Sequence, residues 1–194
     1  ASEAAVIVNQ KIFKMFNVIF SRQRPKTDQS PYETIEAGMA SCSGLSILLI
    51  DACRAVGIPA RFVGIPVWPD KSGNHSWVEI WDGDWHYTGA AEPNGDQLDK
   101  AWFTAKARGA IGDHPLHSIY AVSFKKSGLH FPLVWDHSAT YVPAVNVTER
   151  YMRSSAAKQD APASLDRADR FDVEASMHAV RNLQEYLRQA APDW

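Results

Sequence analysis

Residues 75–88 read HSWVEIW-DG-DWHYT, and this stretch constrains the fold more than any other. Two runs of alternating β-formers flank Asp82-Gly83, a dipeptide preferred in two-residue hairpin turns. Such a turn sets Trp81 opposite Asp84, Glu79 opposite His86 and His75 opposite Ala90. By the two-residue period, His75, Trp77, Glu79 and Trp81 then share a face with Asp84, His86, Thr88 and Ala90. If the second strand stays extended, Glu92 joins that face, diagonal to His75. A three-residue turn inverts this parity. Four of the seven tryptophans, Trp68, Trp77, Trp81 and Trp85, crowd around the two histidines of this stretch.

Upstream, EAGMASCSGLSILLIDACRAVGIPAR at 36–61 reads as a buried helix from about Ser43 to Val56. Cys42, Leu45, Leu49, Cys53 and Val56 fall on one face. Gly57 and Pro59 stop it. ARFVGIPVW follows as a strand, and GIPVWPDKSGNH, rich in Gly and Pro, reads as a mobile substrate loop. Val8, Ile12, Met15, Phe16 and Ile19 recur at helical spacing and predict an N-terminal amphipathic helix. SRQRPKTDQSPYE is a loop, and residues 33–38 form a short helical turn. Downstream, AWFTAKARGA predicts a short helix, and HSIYAVSF, FPLVWD and PAVNVTERYM predict strands. Helix first and mostly antiparallel strands afterwards make the chain α+β. A domain over 1–152 is followed by an Ala-, Ser-, Asp- and Lys-rich linker at 153–170. Val173, Met177, Val180, Leu183 and Leu187 mark an amphipathic helix within 171–194.

The formal net charge of −2 gives no field for nucleic acid or an anionic membrane, so neither is expected as a partner. No apolar run is long enough to span a bilayer. The sequence starts without Met and without a basic n-region. It reads as a processed or trimmed form, which tips the expected location toward secreted or periplasmic.

Two cysteines on one helix, eleven positions apart, stand about 16 Å from each other at a rise of ~1.5 Å per residue. A disulfide requires Cα atoms within about 7 Å, so they do not pair. Cys53, between Ala52 and Arg54 and in line with Leu45 and Leu49, is a small core hydrophobe. Cys42 stands at the helix start between small residues that admit a substrate. A helix N-terminus offers free N–H groups and partial positive charge. These features favour a thiolate and supply donors to an oxyanion. A nucleophilic thiol needs a base, and the base an orienting group. His75 stands where a loop meets a strand. His86 lies mid-strand, and with Glu79 it reads as a cross-strand surface pair. The other histidines lack polar company of the right kind.

With these residues placed, the chain resembles the transglutaminase-like superfamily, which is built on the papain-type cysteine-enzyme core. The resemblance rests on a Cys before a helix ending in LLIDACRAVGIPAR, then GNHSWVEIW, then DWHYT, and runs from about Tyr32 to Pro93. It implies a nucleophile, Cys42, at the N-terminus of a buried helix packed on an antiparallel sheet, with His75 as general base. The family's Asp, in W-x-x-x-D-P, falls here on Gly89. The nearest acid before a proline is Glu92, in GAAEP, which is the expected third member; Asn94 is the alternative, since an amide also orients an imidazole. Gln29 and Tyr32 are the side-chain candidates for the oxyanion. The resemblance implies a bacterial-type cysteine hydrolase, most simply a peptidase on a peptide or protein substrate, with no cofactor and no metal. Acyl transfer to an amine uses the same residues, but the lack of an evident Ca²⁺ loop and the small size favour hydrolysis. An inactive module binding peptide or carbohydrate is the third reading.

Overall fold

Three helices precede the main sheet strands along the chain, with two short helices among and after those strands, over residues 1–153, which this computed structural model describes. The expected linker at 153–170 and helix at 171–194 lie beyond, apart from Arg153, outside the described residues. The helices are α1 (Ser2–Met15), α2 (Pro31–Ala37), α3 (Cys42–Ala55), α4 (Thr104–Arg108) and α5 (Thr148–Arg153). The strands are β1 (Ile19–Phe20), β2 (Met39–Ala40), β3 (Ala60–Ile65), β4 (His75–Trp81), β5 (Trp85–Thr88), β6 (Tyr120–Val122), β7 (Leu129–His130) and β8 (Pro143–Asn146). Six of them form an antiparallel sheet in the order β5-β4-β3-β6-β8-β7, and β1 and β2 make a small parallel pair. The fold is therefore α+β. Among the described residues no helix is long and apolar enough to cross a membrane.

Local chemistry sets the approach to α3. Ser30 and Glu33 form a capping box at the start of α2, with Pro31 in the first turn. Gly38 ends α2 at φ +62°, a left-handed turn suited to glycine. The chain then passes through β2 into α3. There a Cβ on residue 44 would stand 2.8 Å from the Cβ of Ala40, so Gly44 is what lets α3 lie against β2.

The sheet separates two cores. On one side α1 and α3 pack Val8, Ile12, Leu45, Leu49 and Cys53 against Ala60, Val78 and Ile80. On the other, Val63, Ile65, Trp77 and Tyr87 meet Trp68, Phe103 and Tyr151. This alternation is the one expected of β3 and β4. It buries β4 on both faces, with only Trp81 exposed.

The hairpin differs from expectation. Trp81 pairs with Trp85, Ile80 with His86, Glu79 with Tyr87 and Val78 with Thr88. The turn holds three residues, with the Asp82 N–H donating to the Asp84 carbonyl at 2.9 Å and Gly83 at φ +82°. The extra residue inverts the parity, so Glu79 is not opposite His86. Glu79 instead pairs with Arg61, and His86 Nδ1 lies 2.7 Å from Asp99 Oδ2.

Two other expectations change. FPLVWD is not a strand; β7 ends at His130, and Pro132 has no N–H for a ladder. PAVNVTERYM divides in two, because the Asn146 side chain accepts from the Thr148 N–H at 3.0 Å and turns the chain into α5. The loop at 66–74, expected to be mobile, is tied at several points. Trp68 is buried, its N–H donates to Gly73, and Lys106 Nζ reaches Asp70 at 2.7 Å and Ser72 at 2.6 Å.

Candidate active site

Cys42 is the first residue of α3 and is half-buried, while Cys53 is fully buried. Both are free thiols. Burial pushes the Cys53 thiol up to about 12, so it stays protonated and unreactive. The start of α3 is unusual for a helix preceded by serine. Ser41 has cap geometry but makes no side-chain cap; its hydroxyl points to the Thr27 carbonyl at 3.4 Å. The first N–H groups of α3 are thus left without a capping side chain, beside a thiol.

His75 opens β4. The hydroxyls of Ser43 and Ser76 lie 3.4 Å apart, which joins the start of α3 to the start of β4. Cys42 and His75 are the residues immediately before them in the sequence, at the first residue of α3 and the first of β4. Around His75 the rings of Trp68, Trp77, Trp102 and Phe103 lie with centroids 4.8–6.3 Å from the imidazole. Trp68, Trp77 and Tyr87 are buried and form a wall behind the histidine, not an open cleft. A narrow slot opens beside it, lined by Gly64, Asn74, His75, Ser76, Phe131 and Trp135.

The same burial shapes the imidazole. His75 Nε2 is buried without a hydrogen-bond partner, and desolvation lowers the group to about 4. The ordinary value is about 6.5, so between these two pH values only the unfolded chain holds the proton. The folded state then loses stability as pH falls from about 6.5, and the loss saturates below about 4 at about 3 kcal/mol. Denaturant titrations at pH 7 and pH 4.5 should show the wild type losing about 2 kcal/mol more than His75→Gln. Equal losses would contradict a buried neutral imidazole. Glu92 titrates with the opposite sign but is common to both chains.

Glu92 comes to lie over Gly89 through a turn in the chain. β5 ends at Thr88, and the chain turns back so that Gly89 and Glu92 form a bridge. The turn has Ala91 at φ +63°. It is held by Asn9 of α1, whose Nδ2 donates to Thr88 Oγ1 and the Gly89 carbonyl, each at 2.9 Å. The Asn9 Oδ1 accepts from the Ala91 N–H at 3.0 Å. A Cβ on residue 89 would stand 2.9 Å from Glu92 Oε2. The Glu92 carboxylate thus fills the space that a side chain at 89 would occupy. It accepts from Trp102 Nε1 at 2.7 Å. Partial burial pushes its pKa up, and the Trp102 bond opposes that. No hydrogen bond joins Glu92 to His75 among the described residues. Asn94 lies one turn on, its carbonyl bonded to the Gln97 N–H at 3.1 Å.

Space at 89 gives a direct test. Gly89→Asp alone should displace the Glu92 carboxylate, and Gly89→Asp with Glu92→Ala should restore an acid there. Peptide turnover should recover in the double variant to within about threefold of wild type. A double variant no better than Glu92→Ala would separate this space from the acid's role.

Gln29 is fully buried, but Nε2 donates to the carbonyls of Met39 at 2.9 Å and Glu33 at 3.3 Å. Its amide fastens β2 to α2. Tyr32 is exposed on α2. Sequence reasoning missed Asn9, Trp102 and Tyr151. Tyr151 of α5 accepts from Trp77 Nε1 at 2.7 Å and donates to Glu79 Oε1 at 2.8 Å. Glu79 Oε2 takes Arg61 Nε at 2.7 Å. A polar Asn on the apolar stripe beside Val8 and Ile12 is the signal that marks the first of these; the others carry none. Among the described residues no three His, Cys, Asp or Glu side chains are placed to hold a metal ion.

Against known proteins, the family model described as "Transglutaminase-like superfamily" matches residues 1–105, just over half of the chain. No protein of curated function matches the sequence. A solved structure from Cytophaga hutchinsonii, described as a candidate cysteine protease, is similar over 48% of this chain and 33% of that one. The identity is 24% and the TM-score 0.39. The chain thus spans about a third of that protein's length.

Proposed function

The chain belongs to the transglutaminase-like superfamily, and from that premise we propose that it is a thiol-dependent amide hydrolase, a cysteine peptidase working through an acyl-enzyme on Cys42. The observation that supports this reading is the Ser43–Ser76 contact, which joins the first turn of α3, an uncapped helix N-terminus that starts with Cys42, to the start of β4, the strand that starts with His75. Cys42 Sγ attacks the amide carbonyl as His75 takes the thiol proton. The N–H groups at the start of α3 stabilise the oxyanion, a role that needs neither Gln29 nor Tyr32. His75 passes its proton to the leaving amine, and a thioester remains. Water, deprotonated by His75, then attacks the thioester and releases the carboxylic acid. Glu92 is the group that orients and neutralises the imidazolium.

Alkylation by iodoacetamide across pH tests the thiol. Cys42 is expected to react well below pH 8 and Cys53 not at all. Equal, slow labelling of both would end the proposal. Incubation with a peptide library, with and without an added primary amine, tests the reaction. New carboxyl termini in both samples are expected; products that form only with the amine would assign acyl transfer instead.

A further inference from the structure

We propose that Trp102 is a positioning residue for this site: its indole N–H withholds the Glu92 carboxylate from His75, and breaking that one bond lets the two pair. This rests on the reading of Cys42, His75 and Glu92 given above. The Trp102 ring lies 4.9 Å from the imidazole centroid, and its Nε1 holds Glu92 Oε2 at 2.7 Å. The indole therefore touches both members of the expected pair at once. His75 Nε2 meanwhile has no partner in its buried position. A neutral imidazole tolerates this, but an imidazolium carries an N–H there that needs an acceptor. Proton transfer from the thiol to His75 during turnover draws on such an acceptor.

Trp102 is open to a ligand. It is 57% exposed and forms part of the wall of an open cavity of about 650 Å³. Its neighbour Phe103 is fully buried and anchors the segment. A ligand entering that cavity displaces the indole and frees Glu92. Among the ionisable groups on the elements around His75, Cys42 stands at the start of α3, Glu92 beside Trp102, Asp99, Lys100 and Arg108 around the cavity that Trp102 lines, and Asp70 with Lys106 on the loop and α4. Behind Trp77, Glu79 is taken by Arg61 and Tyr151. Of these, Glu92 is the carboxylate held by a neighbour of the imidazole and by nothing else.

NMR titration of the His75 imidazole tests this without requiring turnover. Wild type and Glu92→Gln should titrate alike. Trp102→Phe, which keeps a ring over His75 but removes the N–H, should titrate at least one unit higher. Trp102→Phe with Glu92→Gln should return to the wild-type value. No rise in Trp102→Phe, or a rise that survives Glu92→Gln, overturns the proposal. Should Trp102→Phe fold poorly, Glu92→Gln decides alone: a fall in the His75 value would show Glu92 already engaged. The hydrolase reading fails separately, when Cys42 alkylates no faster than Cys53 while the titrations behave as stated.

Discussion

Glu79→Ala is expected to lower the unfolding free energy by about 3–5 kcal/mol, because it leaves a buried guanidinium without its anion. Arg61 Nε and Nη2 lie 2.7 and 2.6 Å from Glu79 Oε2, and the Glu79 side chain is 1% exposed. Trp85 covers the guanidinium at 3.8 Å from its ring centroid, so water does not replace the lost carboxylate. Glu79 Oε1 also accepts the Tyr151 hydroxyl, which burial keeps protonated. Removing Glu79 therefore takes the anion from Arg61 on β3 and one acceptor from Tyr151 on α5. Urea denaturation at pH 7 measures the loss; less than 1 kcal/mol would mean that the network contributes little. Tyr151→Phe removes one partner each from Trp77 and Glu79 and should cost about 1–3 kcal/mol.

The second large effect is on rate. Cys42→Ala should reduce peptide turnover at least about 10⁴-fold, since the nucleophile is lost while binding is retained. Stability should change little, because Cys42 is half-buried at a helix start. Cys53→Ala is the complementary variant. It opens a small cavity among Leu49, Ile58 and their neighbours and should cost about 1–2 kcal/mol, with turnover unchanged. Turnover that survives Cys42→Ala but not Cys53→Ala would reverse the assignment of the two thiols.

What was readable in the sequence follows the range of each interaction. The start of α3, its apolar face and its Gly-x-Pro stop are local, and so is the alternation of β4. Those features located Cys42 and His75. The register of the hairpin was not readable, because Asp82-Gly83 fits a two-residue turn as well as the three-residue turn that forms. Parity depends on that single residue, so the faces of β5 were inverted. Glu92 was singled out as a candidate acid from its place before Pro93, without the route by which it comes to lie over Gly89. It reaches the space over Gly89 through a turn at Ala91 that Asn9 holds from some eighty positions away. Trp102 and Tyr151 were invisible for the same reason: their partners are set by tertiary packing, and no spacing in the sequence encodes them.

The Trp77–Tyr151–Glu79 bonds have a consequence for the order of synthesis. The thiol, the imidazole and the carboxylate are all in place along the chain by residue 92, and the family match ends at residue 105. Tyr151 emerges from the ribosome well after them. Until it arrives, the indole N–H of Trp77 and the Oε1 of Glu79 lack their partner on the face beneath His75. A nascent chain thus carries the three proposed catalytic residues before the residue that completes the buried bonds of Trp77 and Glu79.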